Sequence, residues 1–326
     1  MKKSLKISLI LMVLGAILLG IGWKNHGDKS VVWDHSSRGL KTLEHTKTST
    51  NPGNYQRIMI DSPASVTVKS GDTSRVTVSY VNHAQAMPKV KVAKGTLTIT
   101  DGGSADVASI TVFGEDHTFD KGGVLVTVPR GKQLKDITVK QGSGAISLRG
   151  LNADNVKVAN TDDVSMMDLR VKQAVSVDSS NGDVWASQLR TKQLSVVTID
   201  GDTGISSSQL TGKDNRLDSG SGDVRLSETT LGGGRISTED GDVHLQDNHL
   251  KGQLKAETGD GDIRATIPTS AGLKVTNADD DMGDITIWGR SRHSGFHITA
   301  KTAAQYVLHA DDGDITVGKQ GSASAN

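Results

Sequence analysis

A short motif, glycine followed by aspartate and an aliphatic residue, recurs through the second half of the chain at a nearly constant interval. The aliphatic position is occupied by Val184, Ile205, Val224, Val243, Ile263, Ile285 and Ile315, so the steps are 21, 19, 19, 20, 22 and 30 residues. Two earlier copies, at Ile146 and Val164, lack the Gly-Asp pair but keep the aliphatic residue. A period near 20 with one apolar anchor per copy is typical of a solenoid.

Within each copy, two pairs of alternate apolar residues flank a turn, as in Val156/Val158 and Val164/Met166. Alternation at period 2 indicates a β-strand with one buried face. Leucine is expected to close each coil, at Leu151, Leu169, Leu189, Leu210, Leu231 and Leu250. The first pair is weak in two copies, where Asn215 and Gly234 stand. The sequence therefore predicts an all-β fold, a single-stranded β-solenoid (β-helix) with coils of about 20 residues over 134–318.

The N-terminus predicts a membrane segment over residues 1–23. Lys2, Lys3 and Lys6 precede a run of 17 uncharged residues from Ile7 to Trp23. The run favours an uncleaved transmembrane anchor over a signal segment because no Ala-x-Ala cleavage site follows it. The preceding lysines place the N-terminus in the cytoplasm. We therefore expect a single-pass protein of the cell membrane with its C-terminal domain outside, or a secreted protein if the segment is cleaved.

The remaining ranges have simpler patterns. Residues 24–54 are polar and are expected to form a linker. Residues 55–133 show short alternating strands at irregular spacing, which predicts a β-rich cap on the N-terminal end of the solenoid. The long step of 30 residues is explained by an insertion at 289–303, with one extra strand at Phe296–Thr299. Residues 319–326 are expected to form a disordered tail.

Composition excludes several classes of function. The chain has no cysteine, which rules out disulfides, a cysteine nucleophile, thiolate metal sites and a bacterial lipoprotein anchor. Its 37 basic and 37 acidic side chains balance, so nucleic acid is not an expected partner. The balance is uneven along the chain, with 25 basic and 19 acidic residues in 1–210 but 12 and 18 in 211–326. No nucleotide-binding loop or Gly-x-Ser-x-Gly motif is present.

The repeated Gly-Asp pair has a structural explanation. Glycine supplies a positive φ in a tight turn, and a neighbouring Asp or Asn bonds to the turn backbone. Asn181-Gly182, Asp240-Gly241, Asp260-Gly261 and Asp312-Gly313 all fit this pattern. The structural interpretation is favoured because the aspartates follow the repeat itself.

Calcium is a second interpretation of the same residues. Stacked coils would place the aspartates in one ladder, and hard cations favour such oxygen clusters. Arg225, His244 and Arg264 lie two residues beyond three of these aspartates and would balance their charge. The candidate ligands are Asp183, Asp202, Asp223, Asp242, Asp262, Asp284 and Asp314, with further acids at Asp240, Asp260, Asp279–Asp281, Asp311 and Asp312.

Catalysis by paired carboxylates, as in β-helix enzymes that cut polysaccharides, is a third interpretation. It is disfavoured because no acidic cluster stands apart from the period. Trp185 and Trp288 are the only tryptophans within the repeats that would stack on sugars. The histidines, including His293 and His297 in the insertion, are expected to be solvated surface residues.

The segment from Val124 to Gly131, then Gly142 to Leu148 and the repeated Ser-Gly-Asp-Val and Asp-Gly-Asp-Ile motifs, resembles the bacterial "putative adhesin" β-strand-repeat family of unknown function. The resemblance covers roughly residues 55–318. It implies a β-repeat fold and offers no catalytic residues to carry over. Similar proteins in cell-envelope stress operons of Gram-positive bacteria imply a sensing or protective role.

Three hypotheses for function follow. The first is a non-enzymatic, membrane-anchored extracellular module that binds cell-wall polymer, an envelope protein or a host surface. The second is a β-helix enzyme that processes polysaccharides, and the third is a regulatory partner of a cell-envelope stress system. No cofactor is expected, with calcium left open.

Overall fold

The computed structural model describes residues 2–24, 31–34, 38–42, 45–81, 87–101, 107–110, 123–140, 144–278 and 283–321. The chain divides into two compact units. The first comprises residues 1–48, 78–88 and 101–122, and the second comprises residues 49–77, 89–100 and 123–326.

The described residues begin with helix α1 (Lys2–Lys24) and continue almost entirely as strands. The first strands are β1 (Val31–Asp34), β2 (Gly39–Thr42), β3 (His45–Thr50), β4 (Arg57–Asp61), β5 (Ser65–Gly71), β6 (Arg75–Val81), β7 (Lys89–Ala93), β8 (Thr96–Thr100), β9 (Val107–Ile110), β10 (Gly123–Pro129), β11 (Gln133–Lys140) and β12 (Ile146–Arg149). The next are β13 (Asn152–Thr161), β14 (Val164–Met167), β15 (Arg170–Ser179), β16 (Val184–Ser187), β17 (Arg190–Thr191), β18 (Gln193–Thr198), β19 (Thr203–Ser206), β20 (Gln209–Leu210), β21 (Asn215–Asp218), β22 (Val224–Ser227) and β23 (Thr230–Leu231). The last are β24 (Gly234–Thr238), β25 (Val243–Gln246), β26 (His249–Leu250), β27 (Gln253–Thr258), β28 (Ile263–Ile267), β29 (Gly272–Asn277), β30 (Ile285–Ile287), β31 (Arg290–Arg292), β32 (His297–Ile298), β33 (Gln305–Ala310) and β34 (Ile315–Lys319).

The first unit contains α1 and a small antiparallel sheet in the order β2-β1-β9. Strands β1, β2 and β3 lie within residues 24–54, the range predicted from sequence to be a polar linker. Among the described residues, no helix combines the length and apolarity that a membrane span requires.

The second unit is a stack of coils in which each turn of the chain gives one strand to each of two long parallel sheets. The first sheet runs through β11, β13, β15, β18, β21, β24 and β27, and the second through β12, β14, β16, β19, β22, β25 and β28. Successive copies of the repeat pair in register, since Val184 pairs with Thr203, Thr203 with Val224, and Val224 with Val243. The predicted all-β fold with parallel coils of about 20 residues is confirmed.

The alternate apolar residues of both sheets point inward, as their period predicts. Val156, Val158, Val164 and Met166 are each at most 2% exposed. Burial of such aliphatic side chains stabilises a coil by about 1.5–3 kcal/mol each, but only when neighbouring coils cover both sides.

Asn215, one of the two weak copies, is buried at an apolar position because its amide satisfies the surrounding backbone. Its side-chain nitrogen donates to the carbonyls of Gly212 and Gly233, both at 2.8 Å, and its side-chain oxygen accepts from the Leu194 amide at 3.0 Å. Gly234, the other weak copy, pairs directly with it in the next coil.

The leucines predicted to close the coils form two columns rather than one. Leu210 pairs with Thr191 and with Leu231, and so lies two positions beyond the column of Leu169 and Leu189. From Leu189 onward the first column is continued by the buried polar residues Ser208, Thr229 and Asn248. Their side chains hydrogen-bond the corner backbone, as where the Leu189 amide donates to the Ser208 hydroxyl at 3.0 Å.

The C-terminal coils do not stack in chain order, which corrects the sequential order that the repeat suggests. Strands β33 and β34 lie between the coil of β27 and β28 and the coil of β29 and β30. The segment 289–303 explains the exchange, because β31 pairs antiparallel with β30 and β32 with β29. The insertion therefore covers the edge of the last coil, which would otherwise present unpaired backbone groups, and returns the chain to the penultimate position.

The N-terminal end repeats this arrangement. Strands β4 and β5 lie between the coil of β11 and β12 and the strands β8 and β10, and the second sheet continues beyond β10 through β6 and β3. Strand β7 pairs antiparallel with β8 at this end of the first sheet. At both ends, the strands thus pair in an order that differs from their order along the chain.

Candidate functional site

The Gly-Asp pairs, which begin at Gly182-Asp183, occupy one corner of their coils, between the first-sheet strand and the second-sheet strand. We call this turn, represented by Gly222-Asp223, the Gly-Asp corner. A Cβ atom built on Gly222 would lie 2.1 Å from the carbonyl oxygen of Gly201 in the preceding coil. The same distance is 2.2 Å from Gly241 to Gly222 and 2.1 Å from Gly261 to Gly241. Glycine is required here because the backbones of neighbouring coils touch.

This contact corrects the expected reason for the glycines. Among the described residues, Gly182, Gly201, Gly222, Gly241 and Gly261 are absent from the group with positive φ. Close approach of two backbones, rather than a left-handed conformation, is what excludes a side chain.

Buried hydroxyl groups support the Gly-Asp corner from inside. Thr238 lies at the end of its first-sheet strand, accepts from the Gly241 amide at 3.2 Å and donates to the Gly222 carbonyl at 3.0 Å. Thr258 makes the equivalent contacts with Gly261 and Gly241 at 3.2 and 2.8 Å. Each hydroxyl therefore joins the turn of its own coil to the turn of the preceding one, which satisfies backbone groups that would otherwise be buried without a partner.

The predicted calcium ligands are brought together in one line, which we call the aspartate column. The backbone amide of each aspartate donates to the carboxylate of the aspartate in the adjacent coil, at 2.8–3.1 Å. In stack order the column contains Asp163, Asp183, Asp202, Asp223, Asp242, Asp262, Asp314 and Asp284. One oxygen of each carboxylate up to Asp314 is thus used by the backbone.

Two arginines neutralise the outer oxygens in the middle of the column. Arg225 contacts Asp202 at 3.3 Å and Asp223 at 2.6 Å. Arg264 contacts Asp242 at 3.0 Å and Asp262 at 2.6 Å. The expected charge balance is confirmed for both arginines, and His244 lies 3.7 Å from Asp242.

The main role of the aspartate column is therefore to accept hydrogen bonds from the backbone amides of adjacent coils. In the part of the chain that the structure describes, no group of three or more His, Asp or Glu side chains is arranged to hold a metal ion. Residues 279–281 lie outside the described residues. Calcium binding stays a prediction, while the amide contacts support the structural interpretation.

The other predicted acids lie on the turns beside the column. His309 contacts Asp311 at 3.0 Å and also approaches Thr276 at 2.9 Å. Asp240 and Asp260 are exposed in neighbouring turns, with the Asp260 amide donating to the Glu239 carbonyl at 2.8 Å. These acids follow the coil period, as turn residues do.

Trp185 lies on the outward face of the second sheet and is 45% exposed. Its partner in the next coil is Gly204, and a Cβ there would meet the indole ring at 2.0 Å. The glycine therefore makes room for the ring to lie against the sheet. Trp288, the other tryptophan in the repeats, is half-buried and has a φ of 51°.

Sequence reasoning missed two features of the site. Asp163 is the first member of the aspartate column, and its signal was its position directly before Val164. The opposite corner, after each second-sheet strand, holds a non-glycine residue with positive φ in coil after coil. We call it the left-handed corner, and its residues are Asp168, Gln188, Ser207, Glu228 and Asp247. All five side chains are polar, but no single residue type is common to them.

Most of the chain matches a known protein family. The model of the Toastrack DUF4097 family matches residues 55–318. No curated protein matches the chain. Solved structures that are similar include three described as "putative adhesin" proteins, from Parabacteroides merdae, Parabacteroides distasonis and Bacteroides fragilis.

These likenesses cover most of each chain at low identity. The P. merdae protein is 14% identical with a TM-score of 0.46, over 85% of this chain and 96% of that one. The P. distasonis protein is 16% identical with a TM-score of 0.45, over 84% and 97%. The B. fragilis protein is 12% identical with a TM-score of 0.38, over 84% and 97%. The family match covers the same residues as the resemblance found in the sequence, and the chain belongs to the Toastrack DUF4097 family.

Proposed function

We propose that this protein is a non-enzymatic, membrane-anchored module of the bacterial cell envelope, which binds a partner outside the membrane with the sides of its coil stack. The partner is cell-wall polymer, another envelope protein or a host surface. The observation that carries the proposal is the apolar surface of α1.

Helix α1 exposes apolar side chains in every direction. Leu11, Met12, Val13 and Leu14 are consecutive and are 63%, 71%, 52% and 55% exposed. Consecutive helical residues point about 100° apart, so these four nearly encircle the helix. A helix that is apolar all round requires an apolar environment such as a bilayer.

Among the described residues, the apolar run of α1 falls short of a full membrane span, so the proposed anchor depends on its charged flanks as well. Seventeen residues span about 26 Å as a helix, against a hydrocarbon core of about 30 Å. Lys6 and Lys24 flank the run. The long, exposed side chain of Lys24 would extend toward the headgroups and offset part of the difference.

The coil stack supports a binding role through its repeated outward positions. The identities of the inward residues and of the Gly-Asp corner are determined by contacts between coils. These positions therefore do not indicate which partner the protein binds. The outward row of the second sheet varies from coil to coil, with Trp185, Gly204, Arg225 and His244 in register. Side chains spaced by one coil, about 4.8 Å, suit an extended partner.

Membrane anchoring is tested with the full chain in bacterial membranes. We expect the protein to resist extraction by alkaline carbonate, and external protease to digest the β-stack in intact spheroplasts. A variant with Leu14→Lys and Leu18→Lys is expected to lose membrane retention. Recovery of the unaltered chain in the carbonate supernatant would contradict the anchor.

Binding is tested with the full chain in proteoliposomes mixed with washed cell-wall sacculi, with calcium and with a chelator. Retention on sacculi supports wall binding, and loss on chelation would favour calcium in the aspartate column. Release of reducing sugar ends during incubation would instead indicate the polysaccharide-processing enzyme. Absence of retention under both conditions excludes direct wall binding.

A further inference from the structure

A second cluster of charged side chains lies away from the aspartate column, at the start of the long first-sheet strands. It lines a groove of about 530 Å³. The floor contains the buried residues Val171 and Thr191. Its walls include four cations and two amides: Arg170, Lys172, Arg190, Lys192, Gln133 and Asn152. We call this feature the basic groove.

The basic groove follows the stack axis. Gln133 pairs with Asn152, Asn152 with Arg170, Arg170 with Arg190, and Arg190 with Gln209, so one row of side chains crosses five coils. Four steps of about 4.8 Å give the row a length of roughly 19 Å. Both arginines stand at its centre, one coil apart. This geometry suits an extended ligand that runs along the stack.

The cations of the groove are largely without acidic partners. Lys172 contacts Asp154 at 3.4 Å. Among the described residues, Arg170, Arg190 and Lys192 have no carboxylate within ion-pair distance. Elsewhere in the stack, Arg225 and Arg264 each bridge two aspartates. Like charges a few ångströms apart repel by about 1 kcal/mol in water, and an anion placed between the two arginines would relieve that repulsion.

We propose that the basic groove binds a linear anionic polymer through phosphodiester groups in its backbone, a polyol phosphate in chemical class. Guanidinium forks donate paired hydrogen bonds to phosphate oxygens, and lysine binds phosphate as a point charge. The two free oxygens of one phosphodiester reach both arginines at once, while the Asn152 amide meets a polymer hydroxyl. The Gln133 amide nitrogen already donates to the Asp154 carboxylate, at 3.0 Å. No lining residue of the groove is aromatic, so the bases of a nucleic acid would find no stacking surface.

This inference deepens the proposed binding function by naming the ligand class. The probe is a poly(glycerol phosphate) oligomer of defined length, titrated against the full chain in proteoliposomes at two salt concentrations. Inorganic phosphate, polyglutamate and single-stranded DNA of equal charge are the comparison ligands. The groove variant is Arg170→Gln with Arg190→Gln. The matched control, Lys274→Gln with Arg290→Gln, removes the same charge from exposed positions near the C-terminal end of the stack.

We expect the unaltered chain to bind the oligomer more tightly than the comparison ligands, with weaker binding at higher salt. The groove variant should bind at least about tenfold more weakly, because two charge-assisted hydrogen-bonding partners are lost. The control should keep the affinity of the unaltered chain. Melting curves of both variants check that each remains folded.

Equal losses in the two variants would overturn the inference, since charge alone would then explain binding. Polyglutamate binding as tightly as the oligomer would overturn the phosphodiester assignment, and DNA binding as tightly would overturn the polyol assignment. Unchanged retention on sacculi by the groove variant would also contradict the groove while leaving the proposed envelope function in place. Loss of membrane retention with intact oligomer binding would contradict the proposed membrane-anchored function while leaving the groove in place.

Discussion

The two corners of each coil follow different rules. At the Gly-Asp corner, neighbouring backbones touch and the sequence repeats, as in Gly222-Asp223 and Gly241-Asp242. At the left-handed corner, Gln188, Ser207 and Glu228 share a positive φ near 50° and a polar side chain, but no single residue type. The side chains there are exposed and meet no equivalent barrier. Sequence repeats where the backbones of neighbouring coils leave no room for a side chain, and it varies where side chains point outward, even though Ser207 there hydrogen-bonds Glu228 of the next coil at 3.0 Å. The conspicuous motif is therefore structural.

The largest expected effect comes from closing the space at the Gly-Asp corner. Gly222→Ala would place a Cβ 2.1 Å from the Gly201 carbonyl, whereas a Cβ at Gly318 meets only the Thr266 methyl at 3.5 Å. We expect Gly222→Ala to lower the free energy of unfolding by about 3 kcal/mol and Gly318→Ala to change it by less than about 1 kcal/mol. Urea denaturation followed by circular dichroism measures both. Equal effects would show that close approach of the Gly201 backbone is not the reason for glycine at position 222.

A second effect is the dependence of stability on pH through the buried Tyr306, which lies on β33. Burial raises the pKa of Tyr306 to about 12, above its usual value of 10.0, and its hydroxyl has no hydrogen-bond partner among the described residues. The folded state keeps the proton after the unfolded state has lost it. Stability is therefore complete below pH 10 and falls as the pH rises toward 12, by about 2–3 kcal/mol in total.

Tyr306→Phe is the control for this pH dependence. The variant should be at least as stable at pH 7, because it removes a buried hydroxyl without a partner. Its unfolding free energy should decline less steeply between pH 10 and 12. An unchanged slope in denaturation measured across that interval would contradict the assignment to Tyr306.

Removing one carboxylate from the aspartate column tests the role of its amide contacts. Asp223→Ala deprives the Asp242 amide of its acceptor, a contact of 2.9 Å, and should cost about 1–2 kcal/mol. Asp223→Asn keeps an acceptor oxygen and loses only the charge, so it should remain within about 1 kcal/mol, the range of an exposed ion pair. Thermal unfolding of the two variants separates the contribution of the hydrogen-bond acceptor to stability from that of the negative charge. Equal destabilisation would favour a charge-based role such as calcium binding.

The smallest expected effect is a gain in stability from a substitution at the left-handed corner. Gln188 has a φ of 53° and an exposed side chain. Gln188→Gly should stabilise the fold by about 1 kcal/mol, because glycine adopts this conformation without the steric cost of a Cβ. Gly150 occupies the same corner at a φ of 64°, and Gly150→Ala should have the opposite sign. Loss of stability in Gln188→Gly would mean that the corner is held by its side chain.

The period, the inward residues and the stacking in coils were predictable from sequence because each depends on local alternation. Val164 and Met166 point inward whatever lies beside them. The reason for the glycines was not predictable, since the clash that excludes a side chain exists only between coils. The groove was missed although Arg170 and Arg190 are one coil apart, because an exposed charge carries no local signal of its neighbours.

The order in which the last coils stack also could not be predicted from the sequence. A repeat determines which residues of a coil face inward but not which coil it pairs with. Strand β34 pairs with β28 across 52 residues, at Arg264 and Thr316, while β30 pairs with β34 at Thr286 and Thr316. The return of segment 289–303 over the edge decides the order, and that choice depends on tertiary pairing.

The register of the stack underlies both the aspartate column and the basic groove, and engineered disulfides test it most directly. The chain has no cysteine, so any disulfide comes from the introduced pair. Arg264→Cys with Thr316→Cys should oxidise readily, because paired residues of adjacent strands lie about 4.8 Å apart. Arg264→Cys with Thr286→Cys should remain reduced, because two coil steps, about 9.6 Å, exceed the reach of a disulfide. The reverse result, with only the second pair oxidised, would show coils stacked in chain order and contradict the account.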